Sequence, residues 1–201
     1  TTMIEAMVTT GQAGSVQHAT SALKGTLDIS ADINLQSFNS LAVLASGTSS
    51  AAEKATALKV QIAAQQISNI ITQIASVIDI ATTGATLQSA AAAVSIAIAQ
   101  AITTAAASSG GTINLANPST LVSIIQAAFT ATGTVFTSTQ VAQIAQVTAG
   151  SNTSAAAATN ITMLAQAADV AQGSATNALI AGSSSGNFST AVNEFTGSAL
   201  N

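Results

Sequence analysis

Between Ser50 and Ala81 the apolar side chains return every three or four positions. Ile67, Ile70, Ile71, Ile74, Val77, Ile78 and Ala81 step without error, and Leu58 and Ile62 extend the series backwards. Only an α-helix places such a series on one face. Gln61, Gln65, Asn69, Thr72, Ser76 and Asp79 fall on the other side. Ser50 with Glu53 forms an S-x-x-E capping box at the start, and Gly84 closes the far end. At ~1.5 Å per residue the rod is about 45–50 Å long. Its apolar face needs cover along its whole length, so the remaining chain is expected to supply other helices.

It does so repeatedly. Thr2–Val8 is a short apolar segment ended by Gly11. Ser15 caps a helix to Lys24, with Gly25 after it, and Lys24 suits the negative end of the helix dipole. Thr26–Ser37 is irregular, and a short helix follows over Leu35–Leu44. Thr86–Ala107 carries an inner stripe of Leu87, Ala91, Val94, Ile98, Ala101, Ile102 and Ala105. Asn117-Pro118 starts the next helix, with Asn as cap and Pro at the first helical position. Its face is Leu121, Ile124, Ile125, Ala128 and Phe129, and Gly133 stops it. Thr137 and Gln140 make a second capping box, before Val141, Ile144, Ala145 and Thr148. Gly150-Ser151-Asn152 is expected to break the chain. A second long helix is predicted over Thr153–Ala181, with Ile161, Leu164, Ala165, Ala168, Ala171, Ala175 and Leu179 inside and a bend at Gly173. Gly182–Gly186 reads as linker and Phe188–Leu200 as a last short helix. No segment alternates as a strand would. The fold class is therefore all-α, a multi-helix bundle of about eight helices with two long ones. Residues 1–181 are assigned to the bundle and 182–201 to a linker and short C-terminal helix.

Composition narrows the function. Of 201 residues, 46 are Ala, 28 Thr and 25 Ser, whereas only 5% are charged; an ordinary soluble domain carries about 25%. Ala at seam positions lets helices approach toward the low end of the ~8–10 Å range. Lys24, Lys54 and Lys59 are the only cations, so no basic patch collects phosphates, and neither nucleic acid nor an anionic membrane surface is an expected partner. With no Cys, disulfides and thiolate metal sites are excluded. Leu87–Ala107 is the most apolar stretch, but Ala dominates it and polar residues interrupt it, so no membrane span is expected. Thr1 and the lack of a basic segment leading into an apolar one suggest a piece of a longer chain. A surface of neutral Ser, Thr, Asn and Gln favours association.

The residues also carry a resemblance. Thr1-Thr-Met-Ile4, the Gly11-Gln-Ala-Gly-Ser15 turn, Leu23-Lys-Gly25 and Leu27-Asp-Ile29 come first. Ala57-Leu-Lys-Val-Gln-Ile-Ala-Ala-Gln-Gln-Ile67, Ile113-Asn-Leu-Ala-Asn-Pro-Ser-Thr-Leu121 and Val141-Ala-Gln-Ile-Ala-Gln146 follow. In this order they resemble an Ala-rich helical region of very large secreted bacterial proteins. Those proteins carry cadherin-like, VCBS or haemolysin-type calcium-binding repeats elsewhere in the chain. The resemblance implies an adhesin or matrix setting, extracellular or at the cell surface. This chain has fewer acidic residues than such regions, so no calcium site carries over.

Few residues are candidates for chemistry. His18 is the only imidazole; it could ligate a haem-like group or serve as a lone general base, a partly exposed helix position is the competing role, and one His cannot build a zinc site. Asp28 and Asp32, four apart with Asn34 nearby, are the candidate metal ligands; calcium wants six to eight oxygens, and capping is the competing role. Glu5 and Glu194 are too far apart in sequence to be read as an acid–base pair. No serine lies in G-x-S-x-G, and Gly182–Gly186 lacks the lysine of a phosphate loop. Asn152, Asn160 and Asn187 open glycosylation sequons that a bacterial source would leave idle. The expectation is a non-catalytic structural or interaction module without cofactor, partnered by copies of itself and by other surface or matrix components. The alternative is a helical carrier of an apolar ligand such as a pigment, lipid or haem.

Overall fold

The computed structural model describes residues 2–108 and 111–196. Among these there are helices and turns and no strand. The helices are α1 (Thr2–Thr9), α2 (Val16–Thr26), α3 (Ser40–Ala45), α4 (Ala51–Ala81), α5 (Leu87–Ala107), α6 (Pro118–Thr132) and α7 (Ser138–Ala156). Then α8 (Ile161–Asp169) passes through a π turn (Val170–Ala175) into α9 (Thr176–Ser185), and α10 (Ser189–Phe195) follows.

Four of these make the frame. α4, α5, α6 and α7 run up, down, up and down, each packed on the next, and α7 closes the ring against α4. The hydrogen bond between the Thr82 and Thr134 hydroxyls puts the α4–α5 and α6–α7 turns at the same end, as this antiparallel order requires. Ile70, Ile74 and Ile78 of α4, Val94, Ile98 and Ile102 of α5, Leu121 and Ile125 of α6, and Ile144 of α7 are all fully buried in the middle. α1 and α2 cover α5, α3 covers α4, and α10 lies against α7 and α9. α5 is long and apolar enough to cross a membrane by length and composition; in this fold it is one side of the ring.

The local start signals hold. Ser50 and Glu53 form the reciprocal capping box of α4, Thr137 and Gln140 that of α7, and Asn117 with Pro118 opens α6. Gly133 ends α6 at φ 71°, the left-handed region that favours glycine. α2 runs two residues further than expected: Gly25 is helical and the Thr26 hydroxyl donates back to the Ala22 carbonyl at 2.8 Å. α3 is shorter, because Asn39 is its cap and accepts from the Ala42 N–H.

The second long helix lies elsewhere than expected. α7 continues straight through Gly150-Ser151-Asn152 to Ala156. Ser and Asn disfavour helix interiors because their side chains compete for nearby backbone groups. Here both side chains are engaged by α4 instead, so that competition is removed. The break falls at residues 157–160, where Asn160 caps α8 through the Met163 N–H. From Ile161 the rod is continuous to Ser185 and widens into the π turn around Gly173. Ile161 and Ala165 are consequently exposed rather than inside, as is Leu87 at the start of α5.

Gly182–Ser185 are the last turn of α9, not linker, and Gly186 is the left-handed residue that ends it. Phe188 is fully buried against this turn, and a Cβ on Gly182 would meet its ring at 2.5 Å. Phe136 bridges Phe129 and Phe188, with centroid separations of 5.3 and 5.6 Å. Phe188, Ala191 and Phe195 thus share the main core. The expected end of the last helix, beyond Thr196, lies outside the described residues.

Candidate functional site

An open groove of about 1010 Å³ runs along α7. Ala149, Gly150, Thr153 and Ala157 form its floor at helical spacing, α8 supplies Met163 and Gln166, and Val170 stands at the entry to the π turn. Every residue lining it is uncharged. Its walls offer amide and hydroxyl hydrogen-bonding groups and apolar contact, with no acid, base or nucleophile–base pair.

Behind the groove, on the opposite side of α7, lies a buried seam of amides. Gln66, Asn69 and Gln73 step by three and four along α4. The Asn69 Nδ2 donates to Asn152 Oδ1 at 3.1 Å, and the Asn152 Nδ2 donates to the Leu115 carbonyl at 2.7 Å. Gln65 donates to Asn69 Oδ1 at 2.7 Å, and Gln66 donates to the Asn152 carbonyl at 3.1 Å. The Gln73 Nε2 donates to Ser151 Oγ at 2.8 Å and to the Ala171 carbonyl at 2.9 Å. Asn69, Gln73 and Asn152 are fully buried. Among the described residues, Gln73 Oε1 and Thr148 Oγ1 are buried polar atoms without a hydrogen-bond partner in the protein. Asn69, assigned above to the outer face, is therefore an interior residue. Ile70, Gln73, Ile74 and Val77 share inner-face spacing, so a polar residue within the apolar stripe was the available signal for this seam.

The residues singled out for chemistry lie apart from both features. His18 is exposed in the first turn of α2, where its backbone N–H donates to Ser15 Oγ. It borders a shallow depression with Gly25, Thr26 and Gly111. Asp28 has φ 53° and makes an ion pair with Lys59. Asp32 is exposed on the same loop, which Lys24 fastens by donating to the Ala31 and Ile33 carbonyls. Among the described residues no three His, Cys, Asp or Glu side chains come together. Glu53 has its carboxyl held below the usual range, first by the Ser50 backbone N–H and then by the Ser50 hydroxyl; both serve the cap.

Comparison with protein-family models, curated proteins and solved structures finds no match to this chain.

Proposed function

We propose that this chain is a non-catalytic structural module that associates with copies of itself through packing and neutral hydrogen bonds. The observation that carries this reading is one end of the ring. There the α4–α5 and α6–α7 turns are tied together by a hydrogen bond between the Thr82 and Thr134 hydroxyls at 2.7 Å. Around them Val135 is 89% exposed, Leu87 53% and Ile80 48%. Single exposed apolar residues are ordinary, but several gathered on one end mark a contact surface. A second copy is the occupant that fits best: the apolar side chains are neutral, and a chain with so few charges brings little like-charge repulsion to the contact. The resemblance noted in the sequence suggests the setting, a large secreted or cell-surface bacterial protein of adhesin or matrix type. Other surface or matrix components are then further partners.

Sedimentation across a salt series tests the reading. Association should persist from low to high salt, because screening acts mainly on exposed charges. Val135→Asp should weaken it strongly without lowering the melting temperature. A monodisperse monomer at millimolar concentration would overturn self-association. Assembly that dissolves with added salt would assign it to the few charged residues instead.

The groove favours a second reading, a carrier of an apolar molecule held between helices, since its size suits a ligand and its walls are uncharged. Native mass spectrometry of the protein purified without detergent separates the two: a retained small molecule supports the carrier, and apo-protein in oligomers supports the module.

A further inference from the structure

The π turn interrupts an otherwise regular rod at a point where two separately packed regions meet. On one side Leu164 of α8 belongs to a small cluster with Ala155 and Ala158. On the other, Ala175 and Leu179 belong to the main core. A π turn closes i→i+5 bonds and takes up one residue more than the α-helix around it. It therefore adjusts the rotation of α8 relative to α9, letting each present its own buried face.

Such a turn is poorer than α-helix on its own, so something must hold it. The Ala171 carbonyl at its start accepts from the Thr176 hydroxyl, five residues on, at 2.8 Å. It also accepts from the Gln73 Nε2 at 2.9 Å, across from α4. A carbonyl can only accept, so the Gln73 amide must present its nitrogen here, and its oxygen is the buried atom left without a partner. The amide is thus committed to Ala171 and Ser151 at a cost to its own oxygen.

We propose that Gln73 is a positioning residue that holds the π turn open, and that through this turn it sets which face of α8 lines the groove. Val170 opens the turn, and Met163 and Gln166 lie within the two turns before it, so the rotation of that wall follows the turn. The Gln172 Nε2 also donates to Ser68 Oγ of α4 at 3.1 Å, but at the exposed side of the turn, whereas Gln73 holds its buried carbonyl.

A double-variant cycle tests the proposal in the full chain. Deleting Gly173 removes one residue from the turn, so a plain α-helix can keep both flanking faces in place. Gln73→Met removes the donor and keeps the length. In the parent chain Gln73→Met should lower the folding equilibrium constant by at least tenfold. In the deletion background, where the Ala171 carbonyl regains an ordinary i+4 partner and only the Ser151 bond is lost, the same change should cost markedly less. Equal losses in both backgrounds would overturn the proposal and leave Gln73 as an interior residue of the α4–α7 contact. If the deletion chain does not fold, amide hydrogen exchange on Gln73→Asn decides, because the shorter side chain withdraws from Ala171. Exchange should quicken over 170–176 while α4 and α7 stay protected. Unchanged exchange at the turn, or loss spread through α4 and α7, would overturn it.

Discussion

α4 buries two adjacent faces that are equally dry and chemically opposite. Ile70, Ile74 and Ile78 face the middle of the ring, whereas Asn69 and Gln73 face α7, and all five are fully buried. The isoleucine face gains free energy in proportion to area removed from water, about 25 cal/mol per Å², with no demand on partner geometry. The amide face gains little net energy, because each bond made replaces one to water. What it adds is discrimination. Sliding α4 against α7 by one turn would leave isoleucines still buried, yet would break the pairing of Asn69 with Asn152 and of Gln73 with Ser151 and Ala171. Stability and register are thus carried by different stripes of a single helix, a division known from buried asparagines in coiled coils.

The harshest way to test this division is to put a charge on the dry face. Ile74→Asp should unfold the bundle, since an unpaired buried carboxylate costs more than a total stability of about 5–15 kcal/mol can tolerate. Ala64→Asp, at an exposed position of the same helix, should lower the stability by under about 1 kcal/mol. Circular dichroism melting of the two variants checks it; comparable losses would mean that the buried face is misassigned.

Cutting the amide seam should cost less and should show coupling. Asn69→Ala and Asn152→Ala each leave a buried partner unpaired, at about 2–3 kcal/mol apiece. The double variant should fall short of the sum by about 1–2 kcal/mol, because the second change removes a group already stranded. Denaturant titration of the four proteins provides the cycle, and strict additivity would mean that the two amides act independently.

A change of size rather than polarity comes next. Gly182→Ala places a methyl group against the Phe188 ring and should cost about 1–2 kcal/mol. Phe188→Leu, which vacates the contact, should remove most of that penalty when combined with it. Losses that simply add would show that Phe188 is not what excludes the methyl.

The smallest effect is at the start of α4. The Glu53 carboxyl lies below its ordinary value of 4.5 because the Ser50 backbone N–H and then the Ser50 hydroxyl favour its ionised form. A folded-state pKa below the unfolded one means that the contribution is fully present above about pH 4.5 and fades as pH falls through the folded value. Glu53→Gln can still accept from the Ser50 N–H but has no proton to gain. Its melting temperature should change less than that of the parent between pH 5 and about pH 3. As Glu53 is fully exposed, the difference is expected to be a slight one.

The starts of α4, α6 and α7 and most of the dry stripes could be read from the sequence because their physics is local. A cap joins residues three apart, as Ser50 does with Glu53 and Thr137 with Gln140, and a stripe needs only the 3.6-residue period. The left-handed stop at Gly133 and the proline at the start of α6 belong to the same class. The uncharged character of the groove was equally implicit, since almost no charged residue exists to line it. What the sequence could not decide was whether Gly150-Ser151-Asn152 breaks a helix. That depends on Asn69 and Gln73, 83 and 78 residues distant along the chain from the side chains they engage. Local propensity at Ser151 and Asn152 points to a turn, and only the arrival of α4 removes the competing bonds that would make one. The π turn has the same origin: its carbonyl is held by Gln73 from 98 residues away. The place of Gly182 within α9 was hidden too, because a serine–glycine run reads as linker until the Phe188 ring is packed against it. Local hydrogen bonds and periodicity were therefore legible, whereas the fate of polar residues inside helices was decided by which distant side chains the closing of the ring brought to meet them.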